Sequence, residues 1–152
     1  MQDLIERFAL TPHPEGGYYR QNYCSRQQLS SPVHGQTRPA LTHIYFLLTA
    51  GQVSRFHEVL HDEVWNFYAG APLKLIEYVE GKPREILLGA PHQQYCHVIE
   101  AGVWQAAEST GDYSLVGCTV APGFDFADFS FIEDESLKTE IQTQWPDLSR
   151  FI

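Results

Sequence analysis

Two glycines and two chemically active side chains stand at fixed intervals near the middle of this chain. Gly51 is followed after five residues by His57, His57 after five by Glu63, and Glu63 after six by Gly70. Side chains alternate between faces along a strand, so Arg55, His57 and Val59 are expected to share one face, with Ser54, Phe56 and Glu58 on the other. Leu60 to Asp62 make a polar turn, and the returning strand presents Glu63, Trp65 and Phe67 together. With both strands in one barrel wall, His57 and Glu63 converge near its mouth. An imidazole beside a carboxylate can bind a divalent metal, move a proton, or form only a buried hydrogen bond. Spacing by itself leaves all three open.

The surrounding segments have the same short-strand character. Leu4, Ile5 and Phe8 recur at helical spacing from Asp3 to Leu10, which predicts a short amphipathic helix. Pro12, Pro14, Gly16 and Gly17 then describe an extended segment entering a tight turn before a strand over Tyr18 to Tyr23. His13, Glu15 and Arg20 on this stretch are either pocket residues or the polar surface of a loop. Leu41 to Leu48 is apolar on both faces, as in a strand buried on both sides. Leu73 to Val79 and Arg84 to Leu88 flank a hairpin turn, and Tyr95 to Ile99 and Val103 to Ala107 are expected to form another. Tyr113 to Val120 is a further strand. From Pro122 to Phe131 the aromatic alternation slips by one residue, which predicts a single bulged strand. Leu137, Ile141 and Trp145 predict a helix stopped by Pro146. Strands this short, with turns every 8 to 12 residues, indicate a sandwich or jelly-roll barrel.

The 152 residues suit one domain with its own core. A net charge of −9 with scattered Lys and Arg argues against nucleic-acid and anionic-membrane partners. No apolar run approaches a membrane span, and the N-terminus lacks the pattern of a signal peptide. Cys24, Cys96 and Cys118 are expected to be free thiols in a reducing compartment, which makes the cytoplasm the expected location.

The Gly51-to-Gly70 spacing resembles the first signature of the cupin superfamily, G-x5-H-x-H-x3-E-x6-G, with Val59 where the second histidine would stand. Pro12-His-Pro-Glu-Gly-Gly-Tyr18, Ser54-Arg-Phe-His57, Asp62-Glu-Val-Trp65 and Pro122-Gly-Phe-Asp-Phe-Ala-Asp-Phe129 resemble a small single-domain cupin family without a settled reaction. That resemblance runs from about Leu10 to Glu133. It implies an all-β double-stranded β-helix with short terminal helices, a single domain over residues 1–152, commonly dimeric, akin to seed storage cupins and sugar-nucleotide epimerases. The second signature, P-x-G-x2-H-x3-N, falls on Glu100 to Gln105, so the four usual metal positions hold His57, Val59, Glu63 and Gln105. Val59 has no donor atom, and a glutamine oxygen is a weak ligand. No cofactor is therefore expected. A weakly held divalent metal, if present, would be ligated by His57, Glu63, Gln105 and His61, although His61 reads first as a solvated turn residue. His34, His43, His92 and His97 are expected to be structural or on the surface.

These residues support a small polar ligand and three classes of function. The leading expectation is a metal-independent isomerase or epimerase on a sugar or nucleotide derivative. In it His57 and Glu63 are catalytic, the charge of Glu63 makes His57 more basic, and Arg55, Gln105, Glu15 and Trp65 bind the ligand. The alternatives are a binding or storage module without turnover and a metal-dependent oxygenase or isomerase. A homodimer is also expected, because Phe56 and the outer face of Leu41 to Leu48 would otherwise leave an apolar patch exposed.

Overall fold

The computed structural model describes residues 2–152. Helix α1 (Gln2–Phe8) precedes strands β1 (Thr11–Pro12), β2 (Tyr18–Cys24), β3 (Gln28–Ser30), β4 (Thr37–Pro39), β5 (Thr42–Thr49), β6 (Val53–Val59) and β7 (Asp62–Gly70). Next come β8 (Leu73–Val79), β9 (Lys82–Leu88), β10 (Cys96–Ile99), β11 (Trp104–Ser109), β12 (Tyr113–Ala121), β13 (Phe129–Phe131) and α2 (Glu135–Gln144). Two antiparallel sheets result, one ordered β1-β2-β5-β12-β7-β10 and the other β13-β6-β11-β8-β9, with β3 and β4 paired on their own. The all-β architecture is the one the turn spacing indicates.

Three connections differ from the sequence reading. The turn after His57 carries the chain from one sheet to the other, because β6 pairs with β11 and β13 while β7 pairs with β10 and β12. The expected hairpin between Tyr95–Ile99 and Val103–Ala107 is a second such crossing, since β10 pairs with β7 and β11 with β6 and β8. In both places a turn signal marks a change of direction, but which strand is met afterwards is decided by burial. The expected single strand over Pro122 to Phe131 is instead a one-turn 3-10 helix, Phe126–Asp128, followed by β13. Asp125 opens that turn by accepting a hydrogen bond from the Ala127 N–H at 2.9 Å.

The inner faces meet in a core containing Phe46, Leu48, Trp65, Leu73, Leu75, Leu88 and Val116. Burying each of these larger side chains stabilises the fold by about 2–3 kcal/mol relative to exposure. Parts of both outer faces are covered by the chain itself. Phe56, Ile76 and Tyr78 pack against Ile141 of α2 and against Leu148 and Phe151 beyond it. Leu47 and Leu115 pack against Leu4, Ile5 and Phe8 of α1. Phe56 is 1% exposed, so the wet apolar face from which a dimer was expected does not exist there. The larger sheet does keep an outward row across five strands, Tyr23, His43, Thr119, Val64 and Val98.

Candidate functional site

The loop between β1 and β2 folds back across β6. Gly16 N–H donates to the His13 carbonyl at 3.0 Å, and Arg55 N–H donates to the Glu15 carbonyl at 2.9 Å. Gly16 has φ of +113°, and a Cβ there would overlap the Val53 carbonyl oxygen. Only glycine allows the two backbones to approach this closely. The close approach drives the Glu15 side chain inward, where its Oε1 accepts from Ser54 Oγ at 2.8 Å.

Strand β6 carries one extra residue at this point. Gln105 stands opposite His57 and Ala107 opposite Ser54, so three steps along β6 match two along β11. The bulge breaks the expected alternation. Ser54 and His57 both reach Glu15. Arg55 turns outward instead, with its guanidinium 4.2 Å from the centroid of the Phe131 ring and a hydrogen bond to the Pro14 carbonyl. Arg55 thus lies outside the pocket it was expected to face. Arg20 is also remote, donating to the Phe8 carbonyl beneath α1.

His57 Nδ1 donates to the Arg55 carbonyl at 2.7 Å, which leaves the Nε2 lone pair facing Glu15 Oε2 at 3.3 Å. His13 Nδ1 accepts the Glu15 N–H at 3.2 Å and lies 3.6 Å from the same carboxylate oxygen. The His13 Nδ1 lone pair is thus taken by the backbone, while the His57 Nε2 lone pair facing a carboxylate oxygen requires a proton between them, on the Glu15 carboxyl or on His57. Burial favours the neutral forms, raising the Glu15 pKa and lowering those of His57 and His13. The charge of Glu63 and the Arg55 carbonyl pull His57 upward but are outweighed by its burial. The expectation that His57 is made more basic is therefore reversed in net effect.

Glu63 enters from the opposite sheet. Its Oε2 accepts from Gln105 Nε2 at 2.6 Å, and Gln105 Oε1 in turn accepts from Trp65 Nε1 at 2.7 Å. Gln105 and Trp65, expected to touch the ligand, instead form a buried relay that holds Glu63 from behind. Burial, helped by the charge of Glu15, pushes the Glu63 pKa up to about 7 against the pull of His57, Gln105 and Cys118. The buried Cys118 thiol beside it is held well above its usual pKa, by desolvation first and by Glu63 second. Cys24, Cys96 and Cys118 are all unpaired thiols.

Glu15, His13, His57 and Glu63 line one cavity of about 370 Å³, within the range of small-molecule sites. Tyr19, Phe124, Phe126 and Phe129 supply an aromatic wall. The sequence reading did not assign these rings to the site. Their signal was the slipped aromatic pattern around Ala127, read there as strand irregularity. Asp128 fixes that segment: Arg38 donates to both of its carboxylate oxygens at 2.7 and 2.8 Å, and His34 Nε2 lies 3.0 Å from Oδ1. His61 belongs to this cluster. It is 2% exposed rather than solvated, because the β3–β4 hairpin folds over it and Ser31 Oγ meets its Nε2 at 2.7 Å.

A family model described as "Cupin superfamily (DUF985)" matches residues 2–132. The chain belongs to the cupin superfamily. It is 28% identical over 153 residues to the uncharacterized protein YML079W of Saccharomyces cerevisiae, covering 89% of this chain and 76% of that one. Its fold is similar to that of a hypothetical protein from Leishmania major, with TM-score 0.84 and 29% identity over 99% of this chain and 95% of the other. Protein SO0799 from Shewanella oneidensis is similar at TM-score 0.82 and 32% identity, over 98% and 92% of the two chains.

Many cupins hold a metal, so the donor set of this cupin matters. Val59 offers no donor, and the Gln105 amide is engaged at both ends. His13, Glu15, His57 and Glu63 remain, but His13 Nδ1 is taken by the Glu15 N–H, and among the described residues no three of these four bring ligand atoms within 4.8 Å of one another. This set does not fit a tight transition-metal centre. Among the described residues, ligand atoms of His34, His61 and Asp128 do lie within 4.8 Å of one another. Arg38 already grips that carboxylate through two nitrogens, however, and its guanidinium occupies the place a cation would take.

Proposed function

We propose that this cupin moves protons on a small molecule bound in the cavity, without a metal, in the manner of an isomerase or epimerase. The observation that carries this reading is the 3.3 Å contact between His57 Nε2 and Glu15 Oε2, two buried groups placed to exchange a proton. The His57 Nε2 lone pair takes a proton from a carbon next to a carbonyl, and the C–H electron pair moves onto the carbonyl oxygen. For this step Glu15 has given up its proton, which leaves the Nε2 lone pair free, and the Glu15 carboxylate then balances the imidazolium that forms. Glu63, whose carboxyl keeps its proton up to about pH 7, is the acid for the developing oxyanion. Isomerisation follows when His57 returns the proton to the neighbouring carbon while the Glu63 carboxylate takes the proton of the adjacent hydroxyl; epimerisation requires instead that Glu63 give its proton to the same carbon from the other face. A sugar derivative offers the required carbonyl and hydroxyls. Nucleotide phosphates are disfavoured, because the cavity lining includes neither Lys nor Arg.

Proton NMR in D2O tests this on a panel of pentoses, hexoses, amino sugars and their ketose isomers. Exchange of the C–H next to the carbonyl is expected with wild type, falling roughly 10²–10⁴-fold in His57→Ala. The variant should lose only about 1–2 kcal/mol of stability, from the unpaired Arg55 carbonyl. Exchange no faster with wild type than with His57→Ala would overturn the proposal.

We also propose that the outward row Tyr23, His43, Thr119, Val64 and Val98 packs against a second copy, since Tyr23 and Val98 are about half exposed at 54% and 46%. Light scattering at micromolar concentration should return twice the chain mass. A monomer mass would remove this proposal.

A further inference from the structure

Epimerisation leaves the enolate oxygen without its acid. When Glu63 gives its proton to carbon, the oxygen holding the former C–H electron pair needs another hydrogen-bond donor, and neither Lys nor Arg lines the cavity. His13 does line it, and the chain holds this residue more firmly than a loop position requires. It stands between Pro12 and Pro14, and a residue before proline is confined to extended backbone. Its own N–H donates to the Gly17 carbonyl at 3.0 Å, and its carbonyl accepts from the Gly16 N–H at 3.0 Å. Tyr19 and Phe46 meet the ring edge-on, with centroids 4.5 and 5.8 Å away.

The hydrogen bond from the Glu15 N–H to Nδ1 also fixes the tautomer. A proton on Nδ1 would face that N–H, so the ring proton sits on Nε2. Burial lowers the His13 pKa and outweighs the charge of Glu15, which keeps the ring neutral. With Nδ1 occupied, Nε2–H is the polar group the ring has left for a ligand, and among the described residues it meets no protein acceptor. The base lies alongside, since His57 Nε2 and His13 Nδ1 are 3.3 and 3.6 Å from the same Glu15 oxygen. A substrate carbon at His57 Nε2 therefore has its carbonyl oxygen beside the neighbouring ring. A fixed, neutral N–H suits an oxygen that gains charge, because it needs no reorganisation during the reaction.

We infer that His13 is a further catalytic residue, whose Nε2–H donates a hydrogen bond to the carbonyl oxygen of the substrate and to the enolate formed from it. This rests on the proton transfer proposed above. His13 keeps its own proton throughout. His57 takes the proton from one face of the carbon, Glu63 supplies one from the other, and the electron pair returns from oxygen to form the new C–H bond. The group recognised by His13 is an aldehyde or ketone oxygen.

Two substitutions divide the ring into its halves. Asparagine accepts a backbone N–H two residues on, so His13→Asn keeps the contact made by Nδ1 and removes the Nε2 donor. His13→Gln places an amide N–H near Nε2 and gives up the turn contact. Exchange in D2O on the same sugar panel should fall about 10²–10³-fold in His13→Asn, with a melting temperature near that of wild type. His13→Gln should keep most of the exchange despite a lower melting temperature. A residue that only closes the turn gives the reverse order, and that result would overturn the inference. Threonohydroxamate, an uncharged mimic of the enediolate, supplies a readout that needs neither turnover nor a variant. Added to wild type carrying isotopically labelled histidine, it should shift the NMR resonance of His13 Nε2–H; an unmoved resonance would also overturn the inference. The two proposals separate cleanly. Exchange lost in His57→Ala but intact in His13→Asn removes His13 and keeps proton transfer. A hydroxamate shift at His13 with no exchange on any sugar removes proton transfer and keeps His13 as the donor to a ligand oxygen.

Discussion

Gly16→Ala is expected to lower the melting temperature by about 6–12 °C. Two costs combine at this position. The φ of +113° lies in a region that residues with a Cβ rarely adopt, and such strain costs about 1–3 kcal/mol. The added carbon would also collide with the Val53 carbonyl, a backbone atom within β6 that cannot rotate away. Together these should exceed about 3 kcal/mol, and for a chain of this length each kcal/mol is about 2–4 °C. Gly35 and Gly102 provide the control. Both have positive φ, and a Cβ on either meets nothing within 4 Å, so alanine there should cost about 1 kcal/mol. Thermal unfolding of the three variants side by side measures the close approach itself. If Gly16→Ala is no worse than Gly35→Ala, the loop is not pressed on β6 as described. The effect should extend to the site, because the same loop delivers His13 and Glu15. A Gly16→Ala protein that still folds should show weakened ligand binding.

Glu63→Gln is expected to stabilise the protein at pH 8 while impairing proton transfer. In the unfolded chain Glu63 has a pKa near 4.5, and in the folded protein it is pushed up to about 7. Between those values the folded state holds a proton that the unfolded state has lost, so this group makes stability fall as pH rises. Its contribution is most favourable below 4.5 and is lost once pH passes about 7. The displacement corresponds to about 3 kcal/mol at pH 8. A glutamine keeps the acceptor oxygen facing Gln105 Nε2 and carries no charge to desolvate. Wild type and Glu63→Gln should therefore have similar stability near pH 4.5 and diverge toward pH 8, with the variant higher. His57 and His13 act in the opposite sense, since their lowered pKa values add stability that is lost on acidification. The His13 contribution cancels when the two proteins are compared at each pH, whereas His57 loses the upward pull of Glu63 in the variant, which lowers the variant's stability further on acidification and steepens the divergence. Urea unfolding of both from pH 4.5 to 8.5 gives the comparison. Parallel curves would show that Glu63 is not held protonated by its burial. A stabilising substitution at a reactive carboxyl is the trade expected where a site keeps a charge in poor solvation for chemical use.

Much of this architecture is written in local pattern. Short alternating runs punctuated by Gly and Pro specify strands wherever they occur, and the observed β2, β5, β8 and β12 lie within a residue or two of the expected segments. The periodicity of Leu137, Ile141 and Trp145 with Pro146 behind them specified α2, because both helix period and proline termination are properties of the nearby chain. The spacing of His57 and Glu63 between two glycines was likewise legible, since a motif of fixed gaps carries its own geometry. Everything that depends on meeting a distant segment needed the tertiary structure. Whether β10 and β11 pair is decided by which neighbours bury them, and no turn signal encodes that. One extra residue in β6, visible only against β11, turned Arg55 out and set Ser54 beside Glu15. His61 read as a solvated turn because nothing near it in sequence announces that β3 and β4 fold over it. The direction of the pKa shifts also came from packing. Sequence places a carboxylate near an imidazole and suggests mutual stabilisation of charge, but enclosure between two sheets removes the water that would support those charges. Desolvation then outweighs attraction. The residue types were set by the chain; their protonation states were set by the fold.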